Sequence, residues 1–199
     1  MAPHQARPAL HHPAVAPGAA PRIFTVGHSI LPLARFLALL EENGVRRLAD
    51  VRRFPGSRRH PQFSSAALAA SLAEAGIEYR HVPELGGFRK PRPDSPHVGW
   101  KVDTFRGYAD HMGTPEFEAA LRSLEDWARE ADAAVMCAEA LPARCHRRLL
   151  ADALLRDGWR VVHITGPGRR EEHALPAFAR IEGGRLIYDG RARAQRKGA

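Results

Sequence analysis

The sequence predicts an α/β fold of three layers, a mostly parallel sheet of about five strands with helices on both faces. Short apolar runs alternate with segments of helical periodicity along the middle of the chain. A helix that connects two successive strands makes those strands parallel, and a parallel sheet is covered on both faces. Polar residues follow several of the apolar runs, as expected where strands end at a ligand site.

Composition divides the chain into a central domain with two tails. Residues 1–21, rich in Ala, Pro and His, predict a disordered arm, residues 22–190 a single α/β domain, and residues 191–199 a basic tail. No apolar run approaches the roughly 20 residues that cross a bilayer, and no secretory signal is recognisable. Two cysteines cannot form a disulfide framework. We therefore expect a cytoplasmic protein without membrane contact.

The formal net charge of +8 comes almost entirely from arginine. It predicts an anionic partner, either nucleic acid or a phosphorylated small molecule. A solvated basic surface explains the same charge, so composition leaves both interpretations open. The sequence identifies no cofactor and no oligomeric state.

The N-terminal half of the domain predicts three strands and two helices. The strands lie at residues 23–26, 45–51 and 77–82. Pro32 is placed as the first residue of the first helix, which ends at Asn43 and the glycine after it. Ser64 or Ser65 caps the second helix, which stops at Gly76.

The C-terminal half begins with an irregular segment. Residues 86–101 hold glycines, prolines and charges, which predict a functional flap or a disordered insertion. Helices then follow at residues 102–112 and from Thr114 onward. The remaining predicted elements are a strand at 133–138, a helix at 142–156, a strand at 159–164 and a hairpin at 181–188.

Polar side chains follow four of the predicted strands. They are His28 and Ser29 after the first, Asp50, Arg52 and Arg53 after the second, Cys137 and Glu139 after the fourth, and His163 and Thr165 at the fifth. Open parallel sheets bind ligands at the carboxyl ends of their strands. The sequence therefore predicts that these residues share one site.

Cys137 is the candidate nucleophile or redox thiol of this site. A helix predicted to open at Pro142 would offer N-terminal N–H groups that lower a nearby thiol pKa, and Arg144 would add positive charge. The layout resembles the cysteine loops of rhodaneses and protein tyrosine phosphatases. However, six residues separate Cys137 from Arg144, one more than in phosphatases, and none is glycine. A buried structural cysteine is the alternative.

Cys145 and His146 fall in the first turns of the same predicted helix. Its apolar face carries Leu149 and Leu150, so helical spacing favours a packing role for Cys145. His146 can instead move protons near neutral pH, close to a thiol or a carboxylate.

Glu139 follows a strand that we expect to be buried, where an unpaired carboxylate is costly. One interpretation is an ion pair with Arg52, Arg144 or Arg147. The other is general acid/base catalysis with a raised pKa. The sequence does not separate the two.

Metal binding is tested by ligand spacing. The suitable residue types are His28, Cys137, Glu139, Cys145 and His146. Zinc motifs usually place ligand pairs about two to four residues apart, whereas seven residues separate the two cysteines. The segment from Cys137 to Cys145 faintly resembles the zinc deaminase signature but lacks its long gap and its paired cysteines. Spacing therefore predicts no metal site.

A basic turn follows the second strand. It contains Arg52, Arg53, Arg58, Arg59 and His60. Guanidinium groups can clamp a phosphate or a carboxylate through bidentate contacts, and a solvated loop is the alternative. Tyr108, with Asp110 and His111 beside it, either lines the same pocket or lies on the surface.

Several separated motifs, in this order, resemble those of the DUF488 family, a domain of unknown function. They are Thr25-Val-Gly-His-Ser29, Asp50-Val-Arg-Arg-Phe-Pro-Gly-Ser-Arg58, Leu85-Gly-Gly87, Tyr108-Ala-Asp-His-Met112, and Met136-Cys-Ala-Glu139 through Pro142 to Cys145-His-Arg147. The resemblance covers about residues 23–164 and implies a small cytoplasmic α/β domain. It supplies no reaction.

The leading hypothesis is an enzyme-like pocket for an anionic, nucleotide- or phosphate-like ligand. An enzyme of this kind would be a cysteine-dependent transferase or hydrolase. The catalytic candidates are Cys137, Glu139, His146, His28 and Asp50. The ligand-binding candidates are Ser29, Arg52, Arg58, Tyr108, Arg144, Cys145 and Arg147. The rival hypotheses are a non-catalytic nucleic-acid-binding domain that uses the arginines, and a ligand sensor without turnover.

Overall fold

The computed structural model describes residues 20–56 and 59–191. The predicted arm up to residue 19, the turn residues Ser57 and Arg58, and the tail from residue 192 lie outside the described residues. The described strands are β1 (Arg22–Gly27), β2 (Arg47–Asp50), β3 (Glu78–His81), β4 (Ala133–Cys137), β5 (Arg160–Gly166), β6 (Arg169–Glu172), β7 (Arg180–Glu182) and β8 (Arg185–Ile187). The α-helices are α1 (Leu33–Glu42), α2 (Ser65–Glu74), α3 (Asp103–Met112), α4 (Pro115–Ala128) and α5 (Arg147–Arg156).

Six of the strands form one sheet in the order β3-β2-β4-β1-β5-β6. The first five in that order are parallel, and β6 is antiparallel to β5. The predicted α/β fold with a mostly parallel sheet is confirmed. The sequence did not predict β6, because its four residues are charged and exposed and so show no apolar pattern.

Helices cover both faces of the sheet, as predicted. α1 and α2 pack on one face, against residues such as Phe24 and Met136. α3, α4 and α5 pack on the other face, against residues such as Ile23 and Val135. Neighbouring residues of β1 and β4 contribute to opposite cores because successive side chains of a strand point to opposite faces. Among the described residues, no helix has the length and apolarity needed to cross a bilayer.

The prediction of one helix from residue 142 to 156 is wrong at its start. A 3₁₀ turn, Pro142–Arg144, comes first, and α5 begins only at Arg147, with His146 at its N-cap. Cys145 separates the two with extended backbone angles of −127° and 145°. Its N–H donates to the Pro142 carbonyl at 3.0 Å, which closes a single tight turn. Cys145 and His146 therefore precede the helix and are not part of its packing face.

Residues 86–101 are irregular but anchored, so the interpretation as a disordered insertion is wrong. At the C-terminal end of the segment, Trp100 is buried and packs edge-on against Phe105. The Gly99 N–H donates to the Tyr188 carbonyl at 2.7 Å. The segment therefore has one end fixed in the core, while its first residues reach the site described below.

Candidate functional site

A cavity of about 590 Å³ opens at the carboxyl ends of β1, β2 and β4. The strand register brings these ends together, since Gly27 pairs with Cys137 and Asp50 pairs with Met136. Of the predicted site residues, the lining includes His28, Ser29, Arg52, Cys137, Glu139, Arg144, Cys145 and His146. The structure thus brings together most of the residues that the strand ends predict.

Two thiols and an imidazole meet in the wall of the cavity. The Nδ1 atom of His146 lies 3.9 Å from the Cys137 Sγ and 3.7 Å from the Cys145 Sγ. Both cysteines are buried and free of disulfide bonds. Each is nevertheless a residue of the cavity lining.

The two thiols differ in their electrostatic environment. The proximity of the two thiols raises the pKa of Cys137, which burial also raises, and lowers the pKa of Cys145. The Arg147 N–H, in the first turn of α5, also lies 3.5 Å from the Cys145 Sγ. The helix N-terminus that we expected beside Cys137 therefore acts on Cys145, because the helix begins later than predicted.

The imidazole of His146 is held between Gly87 and Tyr108. A Cβ on Gly87 would lie 2.8 Å from its Nδ1, so the glycine permits this close approach. The Tyr108 ring packs at 5.1 Å from the imidazole, and its hydroxyl donates to the Leu85 carbonyl at 2.9 Å. Tyr108 is fully buried behind the cavity. Tyr108 therefore supports the His146 ring from behind the cavity and is not among the residues that line it.

Arg147 is a buried cation that holds the loop after β4. It is 1% exposed, and its Nη2 donates to the main-chain carbonyls of Glu139 and Ala140. Its Nη1 donates to the Thr25 hydroxyl at 3.2 Å. Within the described residues, no carboxylate lies within ion-pair distance of Arg147. Because Arg147 is buried behind the site, it positions the loop after β4 and is not accessible for the predicted direct contact with a ligand.

A chain of hydrogen bonds leads from Arg147 into the core. The Thr25 hydroxyl lies 2.8 Å from Nδ1 of His163, whose Nε2 lies 3.0 Å from Nδ1 of His173. The Nε2 of His173 lies 2.7 Å from a carboxylate oxygen of Asp152. Burial lowers the pKa of His163 to about 4, so it is neutral at pH 7. Every hydrogen bond in this series therefore has one donor and one acceptor when each group donates to the next, in the order from Arg147 to Asp152.

Asp50, Arg52 and His28 form a second buried group. Arg52 donates to both carboxylate oxygens of Asp50, at 2.8 and 2.6 Å. Its Nη1 lies 3.2 Å from His28 Nε2, which must accept because a guanidinium only donates. The proton of His28 is then on Nδ1, which donates to the Ser29 carbonyl at 3.0 Å.

This arrangement does not support catalysis by His28 or Asp50. Burial lowers the pKa of His28 to about 4, and Arg52 beside it acts in the same direction. His28 is therefore neutral at pH 7 and both of its nitrogens are occupied. Asp50 is completely buried and neutralised by Arg52. The group fixes the cavity wall, and the charge of Arg52 is already balanced.

Glu139 and Arg144 are two exposed charged residues of the cavity lining. Glu139 is exposed, and Arg147 binds its main chain and not its carboxylate. The predicted buried ion pair of Glu139 is therefore wrong. Arg144 is also exposed, and within residues 20–56 and 59–191 its guanidinium has no hydrogen bond or ion pair. Arg144 is thus a cation with its donors directed to solvent or to a ligand.

Residues 32–154 match the family model described as domain of unknown function DUF488. The chain belongs to the DUF488 family. No curated protein and no solved structure matches it. The match extends from α1 to α5 and includes Cys137, Cys145 and His146. The resemblance to DUF488 is confirmed over these residues, whereas the first motif, at residues 25–29, lies outside the match. The DUF488 description names no reaction.

The cavity of this DUF488 domain also has an apolar rim that the sequence did not predict. Ile30, Phe54 and Phe88 line it and are 79%, 71% and 77% exposed. Arg53 connects two of them, since it stacks on the Phe54 ring and donates to the Phe88 carbonyl. Phe88 has a positive φ of 61°, which is costly for a bulky residue. The two glycines before Phe88 were the only sequence signal of this sharp turn.

Proposed function

We propose that the protein is a cysteine-dependent enzyme that acts on a small anionic substrate bound in the cavity. The observation that carries this proposal is the convergence of Cys137, Cys145 and His146 on a cavity whose open side carries Arg144. Buried sulfur atoms usually serve packing. Here they border the ligand space in contact with an imidazole, the arrangement in which thiols react or bind.

The anionic nature of the substrate follows from the arginines. Arg144 has no partner among the described residues, and Arg53 lies on the same lining. Guanidinium groups bind phosphate and carboxylate through two parallel hydrogen bonds. Arg52, which the sequence favoured for this role, is already neutralised by Asp50. Among the arginines that the sequence offered for anion binding, the proposal therefore uses Arg144 and Arg53 and not Arg52.

Arg147, a buried cation, favours a negative charge on the neighbouring sulfur atoms. A buried cation without a carboxylate partner is costly unless another charge compensates it. The Cys145 sulfur accepts the main-chain N–H of Arg147 at 3.5 Å, and Cys137, His146 and the charge of Arg147 lower the pKa of its thiol. A negatively charged Cys145 sulfur supplies the missing compensation, and negative sulfur is the reactive form of cysteine.

Anion binding is tested with inorganic phosphate and AMP as probes, by calorimetry at low salt. We expect Arg144→Met to weaken the binding of both probes at least tenfold. Arg122→Met is the matched control, because Arg122 is exposed on α4 outside the cavity lining, and it should bind as the wild type does. Equal affinities of Arg144→Met and the wild type would refute the anion site.

Turnover is tested with chromogenic phosphate, carboxylate-bearing ester and thioester substrates. Activity should disappear in Cys145→Ser and in Cys137→Ser, while both variants keep the circular dichroism spectrum of the wild type. A non-catalytic nucleic-acid-binding domain would behave differently. It would bind oligonucleotides with an affinity that falls steeply with salt, and Cys145→Ser would leave that affinity unchanged. This second pattern, without turnover, would replace the enzyme proposal.

A further inference from the structure

We propose that Cys137, Cys145 and His146 are three ligands of a thiophilic divalent metal ion of the zinc class, with the fourth position open to the cavity. This inference rests on the proposed function and gives the two cysteines their role in it. The sequence spacing predicted no metal site. The fold brings the ligand atoms together in a way that spacing alone does not reveal.

The distances between the ligand atoms match a tetrahedral ion. Zinc binds sulfur at about 2.3 Å and nitrogen at about 2.0–2.1 Å, which places S and N ligands about 3.6 Å apart. The two Sγ atoms lie 3.9 and 3.7 Å from His146 Nδ1, and all three atoms lie within 4.8 Å of one another. Both nitrogen–sulfur separations are therefore close to the value that a tetrahedral ion requires.

The donor set and its surroundings also fit a metal. Thiolate and imidazole are the preferred ligands of Zn²⁺, and sites with three protein ligands keep a position for water or substrate. The two sulfur atoms are buried, while the cavity lies on their open side. Arg147 supplies positive charge and a main-chain N–H beside Cys145, both of which stabilise a coordinating thiolate.

The local backbone explains how residues so far apart in the chain become ligands of one ion. Cys137 is the last residue of β4, so its side chain stands at the end of a fixed strand. The 3₁₀ turn Pro142–Arg144 reverses the chain, and the extended Cys145 returns its sulfur to Cys137. Gly87 leaves room for the imidazole of His146 at the third corner.

Two thiolates and a divalent ion form a neutral centre, to which Arg147 adds one positive charge. An anionic substrate is therefore attracted to the open fourth position, with Arg144 on the same cavity wall. The bound ion would supply Lewis-acid activation of a substrate oxygen or of water. Glu139, which lies between Cys137 and Cys145 in the sequence, contributes a carboxylate-bearing residue to the same lining.

The experiment uses the full chain, reduced with a phosphine, stripped with a chelator and titrated with Co²⁺. We expect one equivalent of Co²⁺ to produce a sulfur-to-metal charge-transfer band together with the visible bands of a tetrahedral ion, and Zn²⁺ to displace it. The chain contains only two cysteines, so a sulfur band can arise only from this cluster. Binding to the histidines of residues 1–21 gives no such band.

Variants assign the ligands individually. Cys137→Ser, Cys145→Ser and His146→Gln should each weaken Zn²⁺ binding at least 100-fold. His60→Gln changes another histidine of the same cavity lining and should bind Zn²⁺ as the wild type does. Absence of the sulfur band, or unchanged Zn²⁺ affinity in the three ligand variants, would overturn the inference.

The outcome for the metal is distinguishable from the outcome for the enzyme. If stripped, chelator-treated protein turns over a substrate that Cys145→Ser does not, the metal inference is wrong and the cysteine-dependent enzyme stands. If Co²⁺ binds with the sulfur band but Arg144→Met keeps full affinity for phosphate, the metal site stands and the anion proposal is wrong.

Discussion

Gly27 shows how closely the main chain is packed behind the site. It is the last residue of β1, and an added Cβ would lie 1.8 Å from the Glu139 carbonyl oxygen. Arg147 donates to that same oxygen. The loop after β4 therefore lies directly on the glycine, and no side chain fits between the two segments.

Gly27→Ala should lower the free energy of unfolding by about 2–4 kcal/mol, because two backbone segments have to separate. Chemical denaturation followed by circular dichroism measures the change. Gly113→Ala is the control, since its Cβ would meet the nearest atom at an ordinary 3.5 Å, and we expect a change within about 0.5 kcal/mol. Similar losses in the two variants would contradict this account of Gly27.

At the scale of single elements, α5 marks the limit of what the sequence predicts. Its apolar spacing at Leu149 and Leu150 gave the helix correctly, because periodicity is local information. The break at Cys145 could not be predicted, since Pro142 starts a 3₁₀ turn as readily as an α-helix. The Cys145 sulfur instead lies beside His146 and accepts the N–H of Arg147, contacts that helical periodicity does not encode.

The hydrogen-bond chain behind the site connects α5 to the sheet. It leaves α5 at Arg147, passes through β1 and β5 to His173, and returns to α5 at Asp152. The Tyr188 hydroxyl donates to the second carboxylate oxygen of Asp152 at 2.8 Å. The sequence predicted neither Asp152 nor His173 as important, because single polar residues carry no periodic signal.

Asp152→Asn should lower the free energy of unfolding by about 1–3 kcal/mol. An amide has one acceptor oxygen, so one of the two buried donors, His173 or Tyr188, would face an N–H group and lose its partner. Urea denaturation at pH 7.5 measures the loss. Asp126→Asn on the exposed side of α4 removes the same charge and should be neutral. An unchanged free energy of unfolding in Asp152→Asn would show that this series of hydrogen bonds does not stabilise α5.

At the scale of the whole molecule, the layers of the fold were predictable and the composition of the site was only partly so. Alternation of strands and helices fixes a parallel sheet, and a parallel sheet fixes the edge at which ligands bind. His28, Asp50 and Arg52 were placed correctly at that edge. The ion pair between Asp50 and Arg52, and the exposure of Arg144, depend on side-chain pairing in three dimensions, which the order of residues does not specify.

The buried carboxyl group of Glu125 on α4 gives the whole molecule a pH-dependent stability. Burial raises its pKa from 4.5 to about 7, and Asp157 contributes in the same direction. Below pH 4.5 the carboxyl group is protonated in the folded and the unfolded chain, so its burial carries no ionisation penalty there. Between pH 4.5 and about 7 the unfolded chain ionises this carboxyl group while the folded chain keeps it protonated. The folded chain therefore loses stability progressively over that range, and the loss is complete above it.

Glu125→Gln should therefore stabilise the protein above pH 7 by about 1–3 kcal/mol and have little effect below pH 4.5. Thermal unfolding measured from pH 4 to 9 should show the melting temperatures of the two proteins separating between about pH 4.5 and 7 and staying apart above that range. Glu74→Gln changes an exposed glutamate on α2 and should leave the wild-type pH profile intact, since an exposed carboxyl is solvated in both states. A constant difference between Glu125→Gln and the wild type across this range would mean that the ionisation of Glu125 does not destabilise the fold.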